Sequence, residues 1–259
     1  MGKIISIVNQ KGGVGKTTTA VNLTASLGAL GYNILLIDID PQGNATSGLG
    51  INKRTVRRSS YDLIIGEARF EETILHTGYK NVSMIPSHID LAGAEIELVS
   101  VERREYKLRD AIVAHKSKFD YIIIDCPPSL GLLTLNGLTA CDTILIPIQC
   151  EYYALEGLSQ LMTTVRQVKR LYNPRIELEG VLITMYDSRL NLTIQVANEV
   201  KKHFPKKVYA TAIPRNVRIS EAPSYGRPVR YYDGSSKGSS AYDDLAREFV
   251  EQNRVVEVE

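Results

Sequence analysis

The stretch with the clearest chemistry lies close to the start of the chain and reads VNQKGGVGKTTT. Gly15, Lys16 and Thr17 end it as they end the phosphate-binding pattern G-x-x-x-x-G-K-[ST]. Gln10 stands where that pattern opens with glycine, and a second lysine, Lys11, follows at once. The glycines let backbone N–H groups turn toward one anion, while Lys16 can reach the β- and γ-phosphates and the Thr17 hydroxyl can bind Mg²⁺. The stretch therefore predicts a nucleoside triphosphate site, and the alternative is a glycine-rich turn with a surface lysine.

Two further positions could bring carboxylates to this loop. The apolar run at residues 121–124 ends in Asp125, the position from which a carboxylate holds the water shell of Mg²⁺ in such sites. The run at residues 34–37 leads to Asp38 and Asp40, and we expect these two side chains to point to opposite faces. One of these two could orient a water molecule or bind through Mg²⁺ and the other could cap a turn. Spacing alone leaves that choice open.

A phosphate-binding loop needs a strand before it and a helix after it, and the chain provides both. Residues 4–8 read as a strand, and residues 17–30 read as a helix with one apolar face. Further apolar, β-branched runs predict strands, and several lack polar alternation, as strands buried on both faces do. These runs lie at residues 34–37, 82–85, 121–124, 143–146, 181–183 and 208–213.

The alternation of strands and helices predicts the fold class. We expect an α/β protein in which a single-domain, mostly parallel sheet spans residues 1–259 and has helices on both faces, as in the P-loop NTPase fold. Residues 47–110 are rich in charge and are expected to add loops and helices to the sheet. In such sheets the ligand lies beyond the carboxyl ends of the strands, where each motif above falls.

Composition narrows the class of protein. The chain has 259 residues, 44% of them hydrophobic, and 31 Lys and Arg against 29 Asp and Glu give a formal charge of +2. Any basic surface must therefore be local. Cys126, Cys141 and Cys150 match no metal or redox spacing, and the apolar runs are far shorter than the ~20 residues of a membrane span. These features favour a cytoplasmic protein without zinc, iron–sulfur cluster or membrane association.

Five segments in order resemble one known family. They read KGGVGKTT, LLIDIDPQGNAT, IIIDCPPSLG, PIQCEYYALEGL and IPRNVRISEAPSYGRPV. Together they resemble the ParA/Soj chromosome-partitioning ATPases, P-loop ATPases with a deviant Walker A motif, over nearly the whole chain. The resemblance implies a Mg²⁺-dependent ATPase of weak activity that forms an ATP-dependent homodimer. It also implies non-specific binding of double-stranded DNA by that dimer, a ParB-like activator, and a role in chromosome or plasmid partitioning in the cytoplasm, on the nucleoid.

The resemblance assigns roles to individual residues. Lys11 matches a lysine that reaches across a nucleotide-sandwich dimer to the partner's phosphates, as an arginine finger does; the motif alone would make it a solvated loop charge. Asp40 matches an aspartate needed for hydrolysis, with Asp38 in support, and Asp125 holds Mg²⁺ through water together with Thr17. The implied catalytic residues are Lys11, Lys16 and Asp40. The implied nucleotide contacts are Lys11, Gly12, Gly13, Val14, Gly15, Lys16, Thr17, Thr18, Pro214, Arg215 and Asn216.

A basic stretch predicts a DNA surface. From Lys201 to Arg230 there are eight Lys and Arg residues against one acid, Glu221. Such an excess could bind the phosphate backbone with salt-sensitive, sequence-independent affinity, or could be a solvated face. Arg189 and Arg218 match positions that resemble the family's non-specific DNA-binding arginines. No helix-turn-helix pattern precedes residue 4, so we expect no module that reads DNA sequence.

Three alternative functions compete with partitioning. A MinD-like ATPase that positions division machinery on a membrane would end in a basic amphipathic helix, whereas this chain ends in EFVEQNRVVEVE, where acids outnumber bases. An iron–sulfur carrier would need paired cysteines at a dimer face. A nucleotide sensor that barely hydrolyses ATP would have no need for Asp40 together with Lys11. The neighbouring Tyr152 and Tyr153 could stack on a base or a partner, although aromatic residues that start a helix after a strand are expected to lie in the core.

Overall fold

The computed structural model describes residues 2–254, and the strands among them form one sheet. The strands are β1 (Lys3–Ile7), β2 (Ile34–Asp38), β3 (Leu75–His76), β4 (Val82–Ile85), β5 (Tyr121–Asp125), β6 (Thr143–Gln149) and β7 (Glu177–Thr184). Their order across the sheet is β3-β4-β2-β5-β1-β6-β7. Only the pair β3 and β4 is antiparallel within this sheet. The prediction of a mostly parallel sheet is confirmed.

The central strands are buried because they consist almost entirely of branched apolar residues. All five residues of β2 and all five of β5 are buried, and so are four of the five in β1. In register, Ile5 of β1 lies beside Ile123 of β5. A strand that is apolar on both faces has no solvent side, and the sheet therefore requires helices above and below it.

Helices of very different length surround the sheet. The longer ones are α1 (Lys16–Ala29), α7 (Leu132–Ala140), α8 (Ala154–Leu171), α9 (Asn191–His203) and α12 (Lys237–Gln252). The shorter ones are α2 (Asn44–Gly48), α3 (Ser60–Ile65), α4 (Phe70–Thr73), α5 (Leu91–Glu97), α6 (Lys107–Ile112), α10 (Val217–Glu221) and α11 (Val229–Tyr232).

The sheet separates two layers of apolar side chains. One layer joins Ile4 of β1 to buried residues of α7, α8 and α9, such as Leu161. The other joins Ile5 of β1 to α1 and α12, where Leu23 and Phe249 are fully buried. Successive residues of a strand point to opposite faces, so each layer takes alternate residues of β1. The predicted helices on both faces are confirmed.

The prediction of a strand at residues 208–213 is wrong. This segment follows β7 only through single bridges, at Val208 and Pro214. Between them the backbone N–H groups of Ala210 and Thr211 donate to the Glu248 carboxylate of α12, at 2.6 and 2.8 Å. Because those donors bond to a side chain, they make no ladder with β7, and the apolar run becomes an extended segment beside the sheet.

Residues 47–110 contain short helices and turns, as expected, together with strands β4 and β3. The sequence did not reveal β3, because this strand pairs with β4 through only two residues, Leu75 and His76. Periodicity cannot identify so short an element. Within residues 2–254, we find no helix with the length and apolar character needed to cross a bilayer.

Candidate nucleotide site

Three neighbouring strands bring the site together at their carboxyl ends. β5 lies between β1 and β2. In register, Ile7 of β1 lies beside Asp125 of β5, and Asp125 lies beside Asp38 of β2. The glycine-rich loop, which follows β1, therefore starts next to two strand-terminal carboxylates. This is the sheet edge at which parallel α/β proteins bind ligands.

The glycine-rich loop leaves a space that one anion could fill. Gly13 and Gly15 have φ angles of 75° and 88°, in the left-handed region that glycine adopts at little cost. A Cβ built at Gly12 or Gly13 would meet no atom within 4 Å. The Thr184 hydroxyl donates to the Val14 carbonyl oxygen at 2.8 Å and so anchors the loop to the end of β7. The loop geometry fits a phosphate group.

Lys16 supplies a buried cation at the start of α1. The residue is 7% exposed, and its Nζ donates to the Lys11 carbonyl oxygen at 3.0 Å. Burial lowers the pKa of Lys16, while the charges of Asp125 and Asp40 act in the opposite direction. The ammonium therefore lies within electrostatic reach of both carboxylates, where it can neutralise phosphate charge.

Asp125 is a buried carboxylate without a partner. Neither of its oxygens has a hydrogen-bond partner of ordinary geometry within residues 2–254, and the residue is fully buried. Burial and then the neighbouring Asp38 raise the pKa of Asp125 well above its usual range, whereas Thr17 and Lys16 lower it. An unsatisfied carboxylate near a threonine hydroxyl suits Mg²⁺, which binds few protein oxygens and keeps several waters. The residues present therefore fit the predicted ion.

Asp38 and Asp40 lie in the same site, and the prediction that they point to opposite faces is wrong. β2 ends at Asp38, and the chain then turns, with the Gly43 N–H donating to the Asp40 carbonyl oxygen at 2.8 Å. Both residues are buried, and both raise the pKa of Asp125. In an extended chain, side chains two residues apart point to the same face, so a spacing of two places both carboxylates on one side of the sheet.

Helix α2 fixes the Asp38 carboxylate. Thr46 donates its backbone N–H and its hydroxyl to Asp38 Oδ2, at 2.9 and 2.8 Å, and the Asp40 N–H donates to Oδ1 at 3.1 Å. Burial raises the pKa of Asp38 to about 6, although these hydrogen bonds lower it. The Thr46 hydroxyl also accepts the Ser87 N–H at 2.9 Å. The motifs did not reveal Thr46, because a threonine in a five-residue helix has no distinctive spacing.

The Lys11 side chain lies at a more exposed position than Lys16. Its Nζ forms an ion pair with Glu151, which follows β6, and the two side chains are 45% and 46% exposed. Asn9 accepts the Lys11 backbone N–H at 3.0 Å and donates to the Pro147 carbonyl oxygen at 2.7 Å. The backbone at Lys11 is thus anchored to β6, while its ammonium is an accessible cation held by one carboxylate.

A cavity of about 240 Å³ opens beside the start of α1. Gly15 and Thr18 line it together with the predicted residues Pro214, Arg215 and Asn216. Further lining residues, which the motifs did not reveal, include Thr184, Met185, Ile219 and Tyr242. Apolar walls with a few polar groups are typical of a pocket for a flat organic ring. The structure therefore brings residues 214–216 next to the phosphate-binding loop.

The two arginines proposed to contact DNA are each paired with carboxylates. Arg189 Nη2 lies 2.7 Å from Asp187, and the arginine side chain is 85% exposed. Arg218 lies 2.8 Å from Glu221 and 3.2 Å from Asp233, and its side chain is 51% exposed. Both guanidinium groups are therefore accessible, but neither is an uncompensated charge.

The basic stretch from Lys201 to Arg230 is divided between two ends of the sheet. Lys206 and Lys207 line a cavity of about 350 Å³ together with Lys3, which starts β1. Arg215 lines the cavity at the opposite end, beside the glycine-rich loop. The stretch is compact in sequence but not in space, and only its later part lies near the nucleotide site.

The prediction that Tyr152 and Tyr153 lie in the core is wrong. They are 77% and 67% exposed, and their rings contact each other edge to face with centroids 5.0 Å apart. The three cysteines are buried and form no disulfide. In the part of the chain that the structure describes, no group of three or more His, Cys, Asp or Glu side chains is placed to hold a metal ion.

The fold and this site together define a P-loop nucleotide-binding protein. A family model described as an AAA domain matches residues 2–178. The chain is 60% identical over 248 residues to the sporulation initiation inhibitor protein Soj of Bacillus subtilis, covering 96% of this chain and 98% of that protein. It is 51% identical over 253 residues to the chromosome partitioning protein ParA of Myxococcus xanthus, covering 98% and 89%. The chain belongs to the Soj/ParA family of chromosome-partitioning ATPases.

Solved structures share this fold and bind nucleotides. The cobyrinic acid a,c-diamide synthase of Mycobacterium smegmatis with bound ATP analogue and magnesium has a TM-score of 0.84 and 36% identity, covering 98% of both chains. The septum site-determining protein MinD of Pyrococcus horikoshii, complexed with Mg-ADP, has a TM-score of 0.80 and 27% identity, covering 96% of each. The predicted family, fold and ATPase class are confirmed, and the predicted use of ATP and Mg²⁺ agrees with the ligands of these two structures.

Proposed function

We propose that this ATPase is a dimerising switch that acts in chromosome or plasmid partitioning. ATP joins two chains, the dimer binds double-stranded DNA without regard to sequence, and slow hydrolysis, accelerated by a ParB-like activator, separates the chains again. The observation that carries the proposal is the position of Lys11. This lysine belongs to the phosphate-binding loop, yet its ammonium is accessible and pairs with Glu151. The Lys11 ammonium can therefore contact a second chain.

The residues of one chain are suited to hold ATP and Mg²⁺. Lys16 is buried and cationic, so that it neutralises charge on the β- and γ-phosphates. The Thr17 hydroxyl would hold the ion directly and Asp125 would hold it through water, which would satisfy the carboxylate that has no partner within residues 2–254. Bound Mg²⁺–ATP supplies the phosphoryl group and the positive charge that makes it reactive. Residues 12–18 would contact the phosphates, and residues 214–216 would border the adenine.

Lys11 makes the dimer depend on ATP. To reach the partner's phosphates it must leave Glu151, and an exposed ion pair of this kind costs only about 0–1 kcal/mol to break. A triphosphate offers more negative charge than the single carboxylate does, and the dimer interface excludes water, so that the attraction is stronger there. ATP then favours the dimer more than ADP does, as a two-state switch requires.

Asp40 is placed to act in hydrolysis. Asp40 is 7% exposed, and its Oδ1 accepts the Gln42 N–H at 3.0 Å. Its charge raises the pKa of Lys16. We assign to this fixed carboxylate the orientation of the attacking water. Asp40→Ala should therefore retain ATP and dimerise without turnover.

Arg189 and Arg218 provide the DNA contacts of the dimer. Both are exposed, and Arg215 at the rim of the nucleotide cavity is near enough to lower the pKa of Asp187, the partner of Arg189. Arg215 thus lies between the nucleotide cavity and the Asp187–Arg189 pair. Dimerisation joins two such sets on one DNA duplex, which raises the affinity through effective concentration. This binding would place the protein on the nucleoid, in the cytoplasm.

The proposal is tested by binding to a random-sequence DNA duplex. Fluorescence anisotropy should be measured with ATP, with ADP and without nucleotide, over a series of salt concentrations, with Asp40→Ala as the trapped ATP state. We expect tight, salt-sensitive binding with ATP alone. Arg189→Ala and Arg218→Ala should weaken it, whereas Lys201→Ala, near the carboxyl end of α9, should not. Absence of DNA binding in every nucleotide state would contradict the proposal.

Vesicle-binding and turnover assays with the same protein distinguish the competing functions. Binding to anionic vesicles instead of DNA would favour a MinD-like role; residues 255–259 of the charged tail lie outside the described residues. Helix α12 itself buries Tyr242, Leu245 and Phe249 against the protein, so its apolar face is not available to lipid. ATP binding and dimerisation with no turnover, even in the presence of DNA and activator, would favour a nucleotide sensor.

A further inference from the structure

Asp187 holds the Arg189 guanidinium in the geometry that a phosphate would use. Arg189 Nε and Nη2 donate to the two carboxylate oxygens of Asp187, at 2.9 and 2.7 Å. This bidentate geometry is the one in which arginine also binds phosphate. The side-chain hydrogen bonds from Arg189 lower the pKa of Asp187 to about 2, so the carboxylate is charged at physiological pH. The Arg189 guanidinium is therefore already occupied by an anionic group, the Asp187 carboxylate.

The Arg218 guanidinium is occupied in a similar way. It lies 2.8 Å from Glu221 and 3.2 Å from Asp233. The Tyr232 hydroxyl donates to the same Glu221 oxygen at 3.1 Å, so Glu221 is positioned from two sides. Two carboxylates surround one guanidinium, and this part of the surface carries no excess positive charge in the free protein.

We propose that Asp187 and Glu221 are built-in competitors of DNA phosphate, which hold Arg189 and Arg218 until DNA displaces them. The inference rests on the proposed function, since it concerns the regulation of the same DNA surface. A guanidinium that stays paired with a carboxylate neutralises no phosphate charge, so fewer counterions leave the DNA on binding. The two acids thus lower both the affinity for DNA and its salt dependence. They keep the binding weak enough to be reversed when hydrolysis separates the dimer.

The test removes each competing charge and keeps one acceptor oxygen on the side chain. Asp187 Oδ1 accepts the Arg189 backbone N–H at 3.0 Å, and an asparagine still accepts it in Asp187→Asn. Glu221→Gln likewise keeps an acceptor for the Tyr232 hydroxyl. Each substitution is made in the trapped Asp40→Ala protein, and DNA binding with ATP is measured against salt. We expect the Kd at low salt to fall by about three- to tenfold for each variant. The salt slope should steepen by up to about 2 per dimer.

A matched control separates this effect from a general change in charge. Asp244 is another exposed aspartate, paired with Arg247 at 2.8 Å on α12. Asp244→Asn adds the same charge, and we expect it to leave Kd nearly unchanged. Adding Arg189→Ala to Asp187→Asn should abolish the gain, because the released guanidinium is then missing.

The outcomes distinguish this inference from the function on which it rests. A parent protein that binds no DNA with ATP overturns the proposed function itself. A parent that binds DNA as expected, with Asp187→Asn and Glu221→Gln no tighter, overturns only the competitor role of these acids. Equal tightening by Asp244→Asn also overturns it, since the effect would then be general electrostatics.

Discussion

At the residue scale, three buried carboxylates share one site with a single buried lysine. Asp38 and Asp125 are fully buried, Asp40 is 7% exposed, and Lys16 is the cation near them. Burial and mutual repulsion raise the pKa of Asp38 and of Asp125. Without nucleotide the site is therefore under electrostatic stress, and binding of Mg²⁺ would relieve it.

This stress predicts a pH dependence of stability. The pKa of Asp38 is raised from 3.8 to about 6, so the unfolded chain loses this proton at lower pH than the folded chain does. The contribution of Asp38 to the free energy of unfolding is fully present below pH 3.8 and is lost as the pH rises to about 6. Above that pH it does not change further. It amounts to roughly 2–3 kcal/mol in the free energy of unfolding.

Urea unfolding of the protein free of nucleotide and Mg²⁺ checks this prediction across that pH range. Asp38→Asn cannot titrate, so its stability should decline less with rising pH than that of the parent, whatever its absolute stability. Asp125 loses the repulsion of Asp38 in the variant, so its pKa is raised less than in the parent, which makes the decline smaller still. An identical decline in parent and variant would show that Asp38 does not carry the effect.

The sequence predicts part of this residue chemistry. Lys16, Thr17 and Asp125 follow from motifs with fixed spacing, and the structure brings them together at one sheet edge. The role of Lys11 follows only from the family resemblance, since the motif has no place for a second lysine. Thr46 and Thr184 could not be predicted, because their hydrogen bonds to Asp38 and Val14 arise from tertiary packing.

At the element scale, the extended segment at residues 208–213 connects α9 to the wall of the nucleotide cavity. It packs over Gly180 of β7, where an added Cβ would lie 2.5 Å from the Tyr209 ring and 3.1 Å from the Lys207 carbonyl oxygen. Glycine is therefore required at this position by the close approach of a neighbouring segment rather than by a turn.

A pair of glycine substitutions tests this packing. Gly180→Ala should lower the free energy of unfolding by about 1–3 kcal/mol, because the segment must move to make room. Gly157→Ala is the matched control, since the added Cβ in α8 would meet no atom within 4 Å. It should raise stability by about 0.5–1 kcal/mol through helix propensity. Urea denaturation measures both, and a Gly180→Ala protein as stable as the parent would refute the packing argument.

Elements with long, continuous apolar runs could be predicted from the sequence. The four strands β1, β2, β4 and β5 match their predicted positions within one residue at either end. The segment at residues 208–213 has the same composition, but the Glu248 carboxylate takes the backbone donors that a strand would use. A contact between segments so far apart in sequence leaves no local signal.

At the scale of the whole molecule, the surface charge could not be predicted from a linear run. The stretch from Lys201 to Arg230 contains one acid, yet Asp187, Asp233 and Asp243 pair with arginines around it or within it. These acids come from other parts of the chain. The fold therefore pairs Arg218 and Arg230 of this stretch with carboxylates, so the linear run overstates its uncompensated positive charge.

The account depends most on ATP-dependent dimerisation through Lys11, and sedimentation velocity measures it directly. Asp40→Ala should be a dimer with ATP and a monomer with ADP. Adding Lys11→Ala should give a protein that binds ATP but stays monomeric, because no cation reaches the partner's phosphates. Lys16→Ala should bind nucleotide poorly and stay monomeric, while Lys201→Ala should dimerise like the parent. A Lys11→Ala protein that dimerises normally with ATP would contradict the central claim.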